Sequence, residues 1–460
     1  MPTTREKSLH RTVYVGTFIH CETLQKLDIC EDGAIGVDEH GKIVFVERNM
    51  ENVGSAIVAH GWEDARQPDT HIHASQYPNA GIFGQSTLLE WLNTYTFPLE
   101  SSLADINKAR AVYSRCISRT LSNGTTTAAY YATKHVDSTN LLADICLDAG
   151  QRAFVGRCCM DNLSPDYYKD DSAETAIADT RSTIDHIKSI DSAYELITPI
   201  ITPRFAPSCT SPLLHALGQL HKSTNVPMQT HISENLGEVQ LVRRLFPEST
   251  SYAQVYDTHG LLTPKMILAH AIHISASERD LIRERDAKIS HCPASNSALT
   301  SGGAKVRWLL DSGITVGLGT DVSGGYSPSM LEAVRQASLV SRHVAMLDGD
   351  AAKLSIEEVL YLGTRGGAKV VGLENKIGGF EVGMEWDAQL IGLTLVPEAE
   401  TEQHGGALSH ASFKLSSNEG PVDIFGWESW DERVAKWVYN GDDRNTLSVW
   451  VKGRLVHQRS

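Results

Sequence analysis

Met266-Ile-Leu-Ala-His270 is a short apolar run ending on a histidine. Ser275–Arg285 behind it has helical spacing, and Ile289–Cys292 then turns apolar again. Strand, helix, strand is the unit of a parallel sheet with crossovers. The same alternation repeats outward from it. Strands are expected at Thr125–Tyr130, Ala153–Gly156, Leu196–Thr202, Val226–His231 and Thr315–Thr320. Helices are expected near Ser138–Gly150, Ala173–Ile190, Pro212–Ser223 and Met330–His343. Ser102-Leu-Ala-Asp105 reads as a capping box opening a further helix, which Gly124 closes. These make seven strands, and one more just before His71 closes a (β/α)8 barrel, an α/β fold.

Both chain ends read as β. Arg11–Ile19, Lys42–Val46, Asp387–Gly392 and Leu447–Gly453 carry β-branched or aromatic residues, while Glu31-Asp-Gly33 and Glu39-His-Gly-Lys42 carry turn chemistry. The expected organisation is a barrel over 66–380 beside one small β-domain, built from 1–65 and 381–460. Two separate flanking segments are the alternative. The 460 residues hold 41 Lys+Arg against 56 Asp+Glu, a net charge of −15, which disfavours nucleic acid and anionic membranes as partners. No run approaches the roughly 18 apolar residues of a membrane span. The first residues show no sustained apolar segment of a secretory signal. Eight irregularly spaced cysteines are no disulfide framework, so the expected setting is a reducing cytoplasm.

Four places put chemistry-bearing residues at the end of an expected strand. His71-Ile-His73 is the first; alternate residues of a strand share a face, so the two imidazoles can hold one cation. Among 19 histidines such a pair also arises by chance. His231 ends Val226–His231 and Glu234 lies three residues beyond; the alternative is a polar turn with Glu234 favouring a helix start. His270 ends its apolar strand as a ligand or as a core histidine with a partner. Asp321 ends Thr315–Thr320, and a carboxylate there is costly unless it meets a cation or caps a helix. Taken together, the four converge on one barrel rim. Imidazoles and a carboxylate with an open position describe catalytic zinc or a similar divalent metal.

Ligand positions His71-x-His73, His231, His270 and Asp321, in that order on strands 1, 5, 6 and 8, resemble the amidohydrolase superfamily. Within it, the chain resembles the guanine deaminases. The likeness lies in Thr70-His-Ile-His-Ala-Ser-Gln-Tyr77, Leu88-Leu-Glu-Trp-Leu-Asn-Thr-Tyr-Thr-Phe-Pro98 and Gly124-Thr-Thr-Thr127. Gly150–Gly156, Thr202-Pro-Arg-Phe205, Ser290-His-Cys-Pro-Ala-Ser-Asn296 and Gly319–Tyr326 extend it, so that it runs from about Val13 to about Val451. The resemblance implies one zinc ion per chain on His71, His73, His231 and Asp321, and deamination of guanine to xanthine and ammonia. It implies that His270 and Asp321 orient a water and take its proton, and that Glu234 shuttles protons. Arg204 would bond the purine carbonyl, Gln76 would read the ring edge, and Phe205 and Trp91 would wall the base, although Trp91 and Phe97 equally suit loop packing. A homodimer is also implied. No cytidine-deaminase zinc motif is present.

One departure stands out. The family places an apolar strand directly before its His-x-His, whereas Gly61-Trp-Glu-Asp-Ala-Arg-Gln-Pro-Asp-Thr70 stands here. About a dozen residues, a typical strand plus its loop, look absent. A shortened, weakly active or inactive variant lacking barrel strand 1 is therefore one expectation. Another is that Ala56-Ile-Val-Ala-His60 substitutes for that strand. A related deaminase acting on another purine, a pyrimidine or a triazine is the alternative within the superfamily.

Overall fold

The computed structural model describes residues 10–48, 68–396 and 420–459. Eight strands follow one another round a barrel: Pro68–His73, Thr127–Tyr131, Arg152–Gly156, Ile197–Pro199, Met228–Ile232, Met266–His270, Lys288–His291 and Val316–Leu318. The first four pair in parallel, as do the last four. An Ile201–Met228 bridge joins the two sets on one side. On the other side the Asp321 amide donates to the His71 carbonyl at 2.9 Å and Thr70 Oγ1 to the Leu318 carbonyl at 2.6 Å. The barrel is closed.

The shortened barrel is thereby corrected. Pro68–His73 is itself barrel strand 1, pairing Pro68 with Thr127 and His73 with Tyr131 across one register shift between Asp69 and Ile72. It needs little apolar sequence because both edges are hydrogen-bonded and Asp69 pins it. The fully buried Asp69 carboxylate accepts from Thr320 Oγ1 at 2.8 Å and from the amides of His71 at 3.2 Å and Thr320 at 3.3 Å. Ala56–His60 and Gly61–Arg66 lie outside the described residues.

Helices cover the strands much as the periodicity predicts, at Val136–Ala149, Ala173–Ile190, Ser211–Thr224, Ala276–Glu284 and Met330–Asp348. Two local readings change. The helix expected to open at Ser102 spans Ile106–Ser122 with Asp105 as its cap. Ser102 instead ends the preceding helix, Phe97–Ser102, with its hydroxyl donating to the Leu99 carbonyl. Glu31-Asp-Gly33 lies inside the strand Lys26–Val37, where Asp32 takes a φ of +48° opposite a register shift at Gly16–Phe18.

The chain ends build two three-stranded antiparallel sheets, Thr12–Thr23 with Lys26–Val37 and Ile43–Glu47, and Ala388–Ile391 with Thr446–Val451 and Arg454–Gln458. A Lys42–Glu385 bridge links them. Val13, Ile35, Ile43 and Ala388 share one core, with Tyr14 stacked on Trp386 at 4.4 Å. An unforeseen helix, Trp430–Asn440, packs on Met330–Asp348, where Arg335 Nε donates to the Val438 carbonyl. Below barrel strand 3, buried Arg152 donates to Glu385 at 2.6 Å and is paired with Asp387, tying barrel to sheet. All eight cysteines are buried and unbridged. Among the described residues no helix is long and apolar enough to cross a membrane.

Candidate active site

The strand ends do converge. His71 Nε2 lies 3.2 Å and His73 Nε2 3.4 Å from Asp321 Oδ1, and His73 Nε2 is 3.2 Å from His231 Nε2. His270 Nε2 stands 3.5 Å from Glu234 Oε2 and 3.7 Å from Asp321 Oδ2. The chain bends sharply to aim these groups. Ser233, His270 and Asp321 take φ of +49°, +72° and +47°, a strained region for residues with a Cβ. Backbone bonds hold the bends, with the Ala271 amide on the Ile232 carbonyl and the His73 amide on the Val322 carbonyl, both at 3.0 Å. Gly319 is required by close approach, since a Cβ there would sit 2.6 Å from His71 Cβ.

Second partners fix the rings. His231 Nδ1 contacts the Arg204 carbonyl at 2.5 Å and His270 Nδ1 contacts Asn296 Oδ1 at 2.8 Å, so in each ring Nδ1 donates and Nε2 faces the cluster. Burial pushes His71, His73 and His231 below the ordinary histidine range, toward the neutral, ligating form. Burial would raise Asp321, but the facing His71, His270 and His73 overcome it and keep the carboxylate ionised. His71 and His270 Nε2 are buried with no aligned hydrogen-bond partner, which is costly unless something completes them. Three neutral imidazoles, on His71, His73 and His231, beside an ionised carboxylate fit a divalent cation.

Glu234 differs in kind. Burial raises its carboxyl to about 7, and Ser301 Oγ donates to it at 3.2 Å. Burial opposes protonation of His270, yet the charges of Glu234 and Asp321 win and raise it.

Over the cluster lies a cavity lined by Gln76, Leu88, Trp91, Leu92, Arg204, Phe205 and Leu299. Trp91 serves both expectations, since it lines the cavity while its Nε1 donates to the Ile82 carbonyl at 3.1 Å. Phe97 packs in the same cluster, beneath the Arg204 guanidinium at 5.0 Å. Every site residue expected from sequence meets at this one place. Two were missed. Glu100, fully buried, receives Arg204 Nη1 at 2.7 Å, Arg204 Nη2 at 3.2 Å and Gln76 Nε2 at 2.8 Å. Asn296, which orients His270, sits in a motif noted for resemblance only. A buried arginine calls for a carboxylate, and that was the available signal for Glu100.

A closed parallel barrel with histidines and an aspartate at its C-terminal strand ends defines a class, the metal-dependent hydrolase barrels. The model of the amidohydrolase family matches residues 69–456. The chain is 50% identical over 460 residues to the probable guanine deaminase of Schizosaccharomyces pombe, covering 96% of this chain and 83% of that one. It is 39% identical over 462 residues to the guanine deaminase of Homo sapiens, covering 96% of each. A crystal structure of guanine deaminase from C. acetobutylicum, with guanine bound in its active site, matches with a TM-score of 0.86 at 34% identity, covering 97% of this chain and 100% of that one. The chain belongs to the amidohydrolase family and, within it, to the guanine deaminases.

Proposed function

We propose that this chain hydrolyses guanine to xanthine and ammonia, using one zinc ion held by His71, His73, His231 and Asp321. The observation that carries this reading is the cluster of three neutral imidazoles and an ionised carboxylate beneath a cavity walled by Arg204, Phe205, Gln76 and Trp91. Bound zinc would supply a Lewis acid that brings a water's pKa toward about 7.

The chain's own groups do the rest. Asp321 and His270 orient the attacking water above C2 and take up its proton. Glu234, within 3.5 Å of His270, passes a proton to ring N3 and then to the departing amine. Its pKa near 7 suits a group that must both take and give at neutral pH. The Arg204 guanidinium meets the purine carbonyl and Gln76 the ring edge, while Phe205 and Trp91 exclude water from the faces. Residues 66–380 form the catalytic unit, with 1–65 and 381–460 as its flanking domain, in a cytoplasmic homodimer. The reading is tested by following guanine conversion to xanthine in the ultraviolet, with and without a chelator. Turnover abolished by chelation and restored by zinc is expected; no turnover by the zinc-loaded protein would overturn it.

A further inference from the structure

We propose that Glu100 sets the charge selectivity of the cavity: by cancelling the Arg204 cation it lets a neutral purine bind and an anionic one leave. The inference rests on the guanine-to-xanthine reading and concerns the end of the cavity away from the metal cluster.

Arg204 is 2% exposed and Glu100 is 0% exposed, and their two-armed pair is the ion pair each of them makes among the described residues. Phe97 and Glu100 stand three apart on the helix Phe97–Ser102, so one short element grips the guanidinium by its face and by its edge. The pair commits two of the five N–H donors of Arg204 and leaves three for a ligand in the cavity it lines. Gln76 Nε2 is tied to the same carboxylate. The recognition end therefore offers hydrogen-bond donors with no net charge.

Substrate and product differ in just this respect. Guanine is neutral around pH 7. Xanthine, whose ring N–H groups are flanked by carbonyls, is more acidic and becomes an anion in mildly alkaline solution. A lone buried guanidinium would attract that anion strongly, because removing one member of a buried pair leaves an uncompensated charge. With Glu100 in place the attraction is cancelled and the product is released. Glu100 acts through Arg204 and is a positioning residue.

The test is calorimetric binding of xanthine, and of hypoxanthine as a neutral analogue, to zinc-loaded wild type, Glu100→Gln, Arg204→Gln and the double variant between pH 6.5 and 8.5. In Glu100→Gln, xanthine affinity should rise with pH, to about tenfold above wild type or more at the alkaline end, while the hypoxanthine ratio stays flat. In Arg204→Gln, the lone carboxylate should make xanthine affinity fall with pH more steeply than in wild type. The double variant should return to the wild-type pH dependence. A ratio of Glu100→Gln to wild type that is independent of pH, or equal losses of both ligands with zinc content retained, would reduce Glu100 to a mere support and overturn the proposal. If Glu100→Gln does not fold, the Arg204→Gln slope decides, and a slope equal to wild type overturns it. Wild type that turns over guanine while these outcomes fail brings down this inference alone. Wild type that neither turns over guanine nor binds either purine brings down the functional reading as well.

Discussion

At neutral pH the Glu234 carboxyl, lifted to about 7 by burial, exists in both protonation states, whereas the neighbouring Asp321 stays ionised. Glu234→Gln keeps the shape and removes the transferable proton. Its kcat for guanine should fall by about 10²- to 10⁴-fold with stoichiometric zinc retained by elemental analysis. A variant as fast as wild type would remove Glu234 from the mechanism. The same burial has a thermodynamic signature in the metal-free protein. An unfolded glutamate titrates near about 4.3, so between there and about 7 the folded chain holds a proton that the unfolded chain has lost. This contribution is fully present below the unfolded value and is lost as pH rises through the folded one. Urea denaturation of chelated wild type and Glu234→Gln at pH 4.5 and 7.5 should differ in slope by on the order of 3 kcal/mol, wild type losing more toward alkaline pH. Equal slopes would contradict it.

Seven of the eight barrel strands were legible because each is an apolar run bounded by helical spacing; His231, His270 and Asp321 were legible because each closes such a run, and His71 and His73 through their alternate spacing alone. Strand 1 was not legible. Pro68-Asp-Thr-His-Ile-His73 holds one aliphatic side chain, and its strand identity comes from hydrogen bonds to both neighbours and from buried Asp69. Periodicity carries no trace of a polar residue that bonds to strand 8 across some 250 positions of chain. Glu100 and Asn296 escaped for the same reason: their meaning lies in Arg204 and His270, which are remote in sequence. Glu31–Gly33 failed in the opposite sense, since turn-forming residues served a bulge within a long strand. Asp69→Ala should loosen strand 1 against strand 8 and weaken zinc binding by about 10- to 100-fold, read by competition with a chromogenic chelator. Unchanged affinity would show that the strand edges alone fix His71 and His73.

Across the whole molecule, the barrel and the terminal sheets are joined through Arg152, whose buried guanidinium serves Glu385 and Asp387 together. Arg152→Ala would leave two buried carboxylates facing one another, with Lys42 the remaining cation on Glu385. Stability should drop by about 3–5 kcal/mol in chemical denaturation, while the histidine cluster at the opposite end of the barrel keeps its capacity to bind metal. A loss below about 1 kcal/mol would mean that the joint is carried by the apolar contacts around Trp386. The net charge of −15 is compatible with an uncharged heterocyclic substrate. The eight buried cysteines give the chain a built-in clock. Native protein should be silent to an aromatic disulfide reagent and denatured protein should yield eight equivalents. Label arriving at intermediate times then dates each opening: Cys30 reports when the terminal sheets part, Cys21 when their first strand leaves the barrel, and Cys158, Cys209 and Cys292 when the barrel itself gives way.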